Sequence, residues 1–111
     1  MRVSVMKRRY QREEYTRNRG MILSFLASSP LRYKELKGLS SLSDAVLSKH
    51  LKKLMDEKLI RRVIRGEDRR AAYAITSDGL KALKILIRTR KRKLTEELIE
   101  IERTLRSLKH N

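Results

Sequence analysis

The sequence contains no cysteine and only one proline in 111 residues. The lack of cysteine excludes disulfide bonds, thiolate metal sites and thiol redox sensors, and it is typical of a reducing cytosol. No apolar run approaches the ~18 residues of a membrane span and no signal-peptide pattern is present, so we expect a cytoplasmic protein. Glycine-rich phosphate loops, nucleophilic cysteines and histidine–acid pairs are also lacking, so we expect neither an enzyme nor a cofactor. The two histidines, His50 and His110, are too few to indicate a metal site.

Positive charge is what the sequence has in excess. There are 29 Lys and Arg against 13 Asp and Glu, giving a formal net charge of +16. From Leu94 to the end the net charge is −1, so residues 1–93 carry +17. Such an excess attracts polyanions, and nucleic acid is the first expected partner, ahead of an anionic membrane surface. Abundant Lys, Arg and Glu beside very few Gln and Asn also favour a thermophilic source.

The spacing of apolar residues predicts a mainly helical, single-domain chain that also contains one β-hairpin. Residues 1–9 are expected to form a flexible basic arm, and a first helix follows over about residues 10–28. Pro30 ends that helix and suits the first turn of a short second helix, about residues 31–37. Gly38 then permits the chain to reverse.

A third helix is predicted to begin after Ser43, a good N-cap residue. Leu47, Leu51 and Leu54 form its inward stripe. The side chains expected on the opposite, outer face are Asp44, Ala45, Ser48, Lys49 and Lys52.

Two β-prone runs, residues 60–65 and 71–75, flank a charged turn and predict a hairpin. On the second strand, alternate residues beginning with Ala71 are expected to point inward. Thr76 is a natural N-cap for the last helix. The charged side chains at the tip of the hairpin are Arg65, Asp68, Arg69 and Arg70.

The final stretch continues an apolar stripe that begins at Leu80. In its second half the spacing is 4, 3, 4 and 3, which is typical of a narrow seam against another helix. That seam comprises Leu94, Leu98, Ile101, Leu105 and Leu108, and we expect it to form a homodimer through a coiled coil, with folding back on the same domain as the alternative. The basic run of residues 88–93 interrupts the stripe, so one bent helix and two separate helices both remain possible. The run itself is an exposed helical face, a second phosphate-binding stripe or a membrane patch.

Helix, helix, turn, helix, hairpin and helix is the element order of a winged helix-turn-helix domain, in which the hairpin is called the wing. A helix fits the major groove of DNA, which is about 12 Å wide. Ser48, Lys49 and Lys52 would then face base edges, while the wing arginines would reach the minor groove or its phosphates. Arg32 and Lys34 are expected to anchor the DNA backbone. This interpretation assigns residues 10–79 to DNA binding and residues 80–111 to dimerisation.

Residues 29–79 resemble the HxlR-type and MarR-type winged-helix transcriptional regulators. "SPLRYKEL" is similar to the segment that opens the second helix of HxlR-type proteins, and "YAITSDG" is similar to the end of their wing. Asp68 and Arg70 match the Asp-x-Arg wing motif of the MarR type, in which the arginine reads the minor groove and the aspartate holds it. "LSKHL" is also similar to the recognition helix of the ArsR type, and the layout resembles that of small archaeal proteins with a long last helix. The cysteine common in HxlR-type proteins and the metal-binding residues of ArsR-type sensors are absent, so neither switch is expected.

The resemblance implies a homodimeric, sequence-specific regulator of transcription that binds double-stranded DNA. Its half-sites would lie about 34 Å apart, one turn of the double helix. Two alternatives remain open. The first is a chromatin-like architectural protein with little sequence preference, which the net charge favours. The second is a protein-interaction or RNA-binding module, which the lysines on the third helix argue against.

Overall fold

The computed structural model describes residues 2–64 and 70–109 of the chain. Within them the elements are α1 (Arg2–Ser28), β1 (Leu31–Arg32), α2 (Tyr33–Ser40), α3 (Asp44–Asp56), β2 (Ile60–Ile64), β3 (Ala71–Ile75) and α4 (Ser77–Lys109). The three strands form one antiparallel sheet in the order β1-β3-β2. This architecture confirms the expected fold class, a mainly α winged helix-turn-helix domain with a long last helix.

Strand β1 is the element that the sequence analysis placed wrongly. Leu31 and Arg32 pair with Tyr73 and Ala72 of β3, so the second helix begins two residues later than expected, at Tyr33. The carboxylate of Glu35 accepts a hydrogen bond from the backbone N–H of Arg32 at 3.0 Å and so caps the new helix start. Pairing with residues 40 and 42 positions further along the chain satisfies backbone groups that no local signal could assign.

The ends of the first two helices also differ from expectation. Helix α1 begins at Arg2, so residues 2–9, expected as a flexible arm, are helical. No proline or glycine interrupts them, and their Met, Lys and Arg residues are good helix formers. Helix α2 passes through Gly38 and reverses at Ser41, whose φ is 57°. The extra turn buries Ser40, whose hydroxyl accepts a hydrogen bond from the N–H of Leu42 at 3.3 Å.

The core lies between α1, α3 and the sheet. Ile22 and Leu23 of α1 and Leu47 and Leu54 of α3 are fully buried. On β3, however, burial does not alternate: Ala71 is exposed, whereas the next three residues are all buried. The central strand is flanked by β1 and β2 and packs against α1 and α4, so it loses solvent on both faces. The expected inward position of Ala71 is therefore wrong.

The wing is fastened at its base to the start of α4. The Thr76 hydroxyl donates to the carbonyls of Lys58 at 2.8 Å and Leu59 at 3.0 Å, and it accepts the N–H of Gly79 at 3.0 Å. The last contact confirms Thr76 as the N-cap of the final helix. A Cβ on Gly79 would lie 2.1 Å from the Leu59 carbonyl oxygen, so only glycine permits this approach.

Helix α4 settles the question left open at residues 88–93, because it runs as one helix of 33 residues. Its first turns pack on the core through Leu83 and Leu86. Every described side chain from Ile87 to Lys109 is exposed, so the helix projects beyond the core and the molecule extends 67 Å along its longest axis. Across the described residues, no helix is both long and apolar enough to cross a membrane.

Candidate nucleic-acid interface

Helix α3 presents one exposed polar face opposite its buried stripe. Its N-cap is confirmed, because the Ser43 hydroxyl accepts the N–H of Val46 at 3.3 Å. Leu47, Leu51 and Leu54 are buried as expected. The predicted outer residues Ala45, Ser48, Lys49 and Lys52 are all exposed and stand together on the surface. Small side chains near the N-terminal half and lysines further along give a face that suits a close approach to a polyanion.

Asp44 is also exposed, but its carboxylate is bonded to helix α2. One oxygen accepts the Tyr33 hydroxyl at 2.7 Å, and the other lies 2.8 Å from the Lys37 ammonium. The hydrogen bond from Lys37, followed by that from Tyr33, holds the pKa of Asp44 below its ordinary value. Asp44 therefore joins the two helices of the helix-turn-helix rather than standing free on the outer face. We call the group formed by Tyr33, Lys37 and Asp44 the interhelix clamp.

The other end of α3 is held by α1. Arg19 forms a bidentate ion pair with Glu57, in which one nitrogen–oxygen distance is 2.8 Å. This contact raises the pKa of Arg19 and lowers the pKa of Glu57. The buried ring of His50 lies 4.9 Å from the ring of Tyr15, and the Lys53 ammonium lies 4.9 Å from that same Tyr15 ring. Burial, and then the neighbouring cations, lower the pKa of His50. His50 is thus a neutral packing residue that fixes α3 on α1.

The wing is described only up to its tip. Arg65, Asp68 and Arg69 lie outside the described residues, whereas Arg70 is exposed at the base of the tip. Strand β2 adds two exposed arginines that the sequence analysis did not select. The guanidinium of one of them, Arg62, lies 5.8 Å from the centre of the Tyr73 ring.

The two residues expected to anchor the DNA backbone lie on neighbouring elements. Arg32 is half-buried on β1, where it pairs with Ala72, and Lys34 is exposed in the first turn of α2. Both are near the start of the helix-turn-helix. Only Lys34 stands on the open surface.

Four residues of this region were not selected from the sequence, namely Tyr33, Lys37, Arg61 and Arg62. Tyr33 is half-buried, with its hydroxyl at the start of α3. The sequence could have indicated the interhelix clamp, because Lys37 and Asp44 carry opposite charges on either side of the turn between the two helices. The arginines of β2 had a signal as well, because two adjacent basic residues lie on a strand of the predicted wing.

The predicted seam of α4 lies on the surface of this single chain. Leu94, Leu98, Ile101, Leu105 and Leu108 are 54–65% exposed. Leu80 and Ile87 continue the same line toward the core at intervals of seven residues, and they are exposed as well. A row of large apolar side chains open to solvent is typical of an interaction surface. Among the described residues there is no cluster of three side chains that could hold a metal ion.

Comparison with protein families gives one match over most of the chain. The model of a family described as HxlR-like helix-turn-helix matches residues 15–100. No match was found among curated protein sequences.

Solved structures of transcriptional regulators have the same fold. The DNA complex of MepR from Staphylococcus aureus is similar over 96% of both chains, with a TM-score of 0.62 and 18% identity. The reduced form of the transcriptional regulator YodB from Bacillus subtilis shows 25% identity and a TM-score of 0.57, over 67% of this chain and 74% of its own. A point mutant of ZitR from Lactococcus lactis shows 21% identity and a TM-score of 0.61 over 71% of this chain. The present chain spans 55% of the length of that ZitR.

Proposed function

The chain belongs to the HxlR-like helix-turn-helix family, and from that premise we propose that it regulates transcription by binding specific sites on double-stranded DNA as a homodimer. The observation that carries the proposal is the exposed face of α3, where Ser48, Lys49 and Lys52 stand together on a body of strong positive charge. Helix α3 would enter the major groove and read bases through these side chains. No catalytic role and no bound metal form part of the proposal.

The remaining basic residues would position the protein on the DNA backbone. Phosphate contacts fix register and orientation, whereas base contacts give specificity. We assign the phosphate contacts to Arg32 and Lys34 near α2 and to the arginines of the wing, namely Arg65, Arg69 and Arg70. Asp68 would hold Arg70, as the resemblance to the MarR-type wing motif implies. The MepR complex supports DNA binding by this fold, because a chain of similar fold binds DNA there.

The test is selection of bound sequences from a random duplex pool at about 150 mM salt, near physiological ionic strength. Enrichment of one inverted repeat is the expected result. A double variant, Lys49→Ala with Lys52→Ala, should lose at least about tenfold in affinity for that repeat, because each lost base or phosphate contact costs about 1 kcal/mol or more. The matched control is Arg103→Ala with Arg106→Ala, which removes the same charge from the exposed far end of α4 and should change affinity by less than about twofold.

A second candidate function is DNA coating with little sequence preference. It is favoured by the charge of +17 on residues 1–93 and by the basic run of residues 88–93 on the exposed part of α4. In that case the selected pool would stay flat while binding remained tight. Affinity would then fall on every sequence alike, by about 0.9 log units per phosphate contact for each tenfold rise in salt.

The dimer is proposed from the exposed row on α4. An isolated helix is marginally stable in water unless an apolar face is packed. Residues 87–109 bury no side chain in the single chain, so their helix gains little from its own domain. The α4 helix of a second copy, packed along the apolar line that runs from Leu80 to Leu108, would cover the seam on both partners, and the charged residues beside it would remain in water.

Charge favours an antiparallel arrangement of the two α4 helices. Residues 88–93 contain five basic and no acidic side chains, whereas residues 96–102 contain four glutamates and no basic side chain. A parallel pair would place like charges together along both segments. An antiparallel pair crossing near Leu94 would place the basic segment of each helix beside the acidic segment of the other.

The absence of native cysteine gives this orientation a direct test. In an antiparallel pair crossing near Leu94, two copies of residue 105 would lie about 33 Å apart, since a helix rises about 1.5 Å per residue. Disulfides require Cα atoms within about 7 Å. Leu105→Cys should therefore not crosslink, whereas the control Leu94→Cys should crosslink in either orientation. Efficient crosslinking of Leu105→Cys would establish the parallel form.

A regulator of this kind must reach the chromosome, so we also assign the protein to the cytoplasm.

A further inference from the structure

The hydrogen bonds around Tyr33 determine which way the Ser48 hydroxyl points its hydrogen. The Tyr33 hydroxyl has a single hydrogen, and its nearest acceptor is the Asp44 carboxylate oxygen at 2.7 Å. The backbone carbonyl of Asp44 lies 3.4 Å from the same hydroxyl and also can only accept. Tyr33 therefore donates to Asp44, and its oxygen is left with lone pairs alone.

Ser48 is the next polar group beside Tyr33. Its Oγ lies 3.4 Å from the Tyr33 hydroxyl oxygen. Because the Tyr33 hydrogen is already used, Ser48 must be the donor in this contact. The usual alternative for a serine inside a helix is the carbonyl four residues earlier, here that of Asp44, which the Tyr33 oxygen also approaches. Either way the Ser48 hydrogen is directed into the protein.

We propose that Ser48 therefore meets DNA as a hydrogen-bond acceptor, and that Tyr33 is the positioning residue that makes it one. The group it recognises is an exocyclic amino group in the major groove, either N6 of adenine or N4 of cytosine. It would reject the acceptor atoms O6 of guanine and O4 of thymine, which face it with lone pairs. The inference rests on the proposed function, because it applies to α3 when that helix lies in the major groove.

The interhelix clamp explains why Ser48 remains the donor to Tyr33. Lys37 holds the second oxygen of the Asp44 carboxylate at 2.8 Å, and this hydrogen bond keeps the pKa of Asp44 low. The carboxylate thus remains ionised, and an ionised carboxylate accepts hydrogen bonds without donating any. Asp44 therefore keeps the Tyr33 hydrogen, and Ser48 keeps its lone pairs toward the solvent.

The experiment uses the full chain and the DNA site obtained by selection. Ser48→Ala is selected in parallel with the wild type, and the base pair whose preference disappears is taken as the one that Ser48 reads. Two duplexes are then made with base analogues at that pair, one lacking only the exocyclic amino group and the other lacking only the keto oxygen. Wild-type affinity should fall about fivefold on loss of the amino group, as for one neutral hydrogen bond, and the Ser48→Ala variant should not respond.

Tyr33→Phe supplies the second readout. It removes one of the two internal acceptors open to Ser48 and leaves only the Asp44 carbonyl, so the serine hydroxyl is freer to turn and donate to a keto oxygen. The preference for the amino group should then shrink toward equality, while affinity for a duplex of unrelated sequence stays within about twofold. A merely structural role for Tyr33 would lower both affinities and leave the base preference unchanged, and that result would overturn its assignment as a positioning residue.

The possible failures are distinguishable. A wild-type pool with no enriched sequence would refute the proposed function, and this inference with it. An enriched pool in which Ser48→Ala alters no position would refute the inference alone. So would a wild-type response to loss of the keto oxygen in place of the amino group.

Discussion

Truncation of the α4 seam should separate the two copies without unfolding either domain. Leu98 and Leu105 retain 55% and 61% of their exposure in the single chain. Complete burial of a leucine side chain stabilises by about 1.5–3 kcal/mol, so covering the exposed part is worth about 1 kcal/mol each. A dimer contains two of each, so the double variant Leu98→Ala with Leu105→Ala should lose about 4 kcal/mol of association free energy. That loss corresponds to an increase of about a thousandfold in the dimer dissociation constant.

Sedimentation equilibrium over a wide concentration range measures this constant directly. The matched control is Glu100→Ala with Arg103→Ala, which removes a surface ion pair of 3.1 Å from another face of the same helix and leaves the net charge unchanged. Such exposed pairs contribute little, so the control should dimerise like the wild type. If the leucine variant dimerises within about threefold of the wild type, the apolar row is not the interface and the argument from exposure fails.

Two further predictions concern the elements that hold the interface in place. Gly79→Ala should lower the free energy of unfolding by about 1–3 kcal/mol, because its Cβ would clash with the Leu59 carbonyl. The control Gly38→Ala lies on the exposed surface and should not destabilise the protein. Equal urea midpoints for the two variants would contradict this prediction. Stability should also fall as the pH drops from 7 to 5, because the pKa of His50 lies below its ordinary value of 6.5 and the unfolded chain therefore takes up the proton first. In urea titrations at several pH values, His50→Phe should make the free energy of unfolding depend less on pH between 7 and 5. The pKa of Glu57 is lowered from 4.5, so the loss of its ion pair with Arg19 falls in a separate, more acidic range.

The parts of the fold that sequence predicted are those with local causes. Ser43 and Thr76 mark helix starts because their hydroxyls cap N–H groups three residues ahead, and both caps are present. The buried stripe of α3 follows from helical spacing alone. These signals require no knowledge of distant residues.

The parts that sequence missed depend on distant neighbours. Residues 31–32 become a strand only because β3 lies beside them, and β3 loses its alternation because it is central. In the same way, the contacts of Asp44 with Tyr33 and Lys37 were not foreseen, because helical spacing shows a face but not the residues of α2 beside it. The exposed positions of Ser48, Lys49 and Lys52 were predictable, whereas the direction of the Ser48 hydrogen was not.

Because α4 is one unbroken helix, its length is fixed by its number of residues. At about 1.5 Å per residue its 33 residues measure about 50 Å, and no glycine or proline follows Gly79 to let it bend. In a dimer joined through two such helices, the distance between the two DNA-binding domains would be set by the number of residues in α4 rather than by a flexible hinge. Removing seven residues preserves the seam but shortens the helix by about 10 Å, equivalent to about three base pairs of DNA. In the proposed dimer, the length of this one helix would therefore set the spacing of the two half-sites, independently of the residues that read the bases.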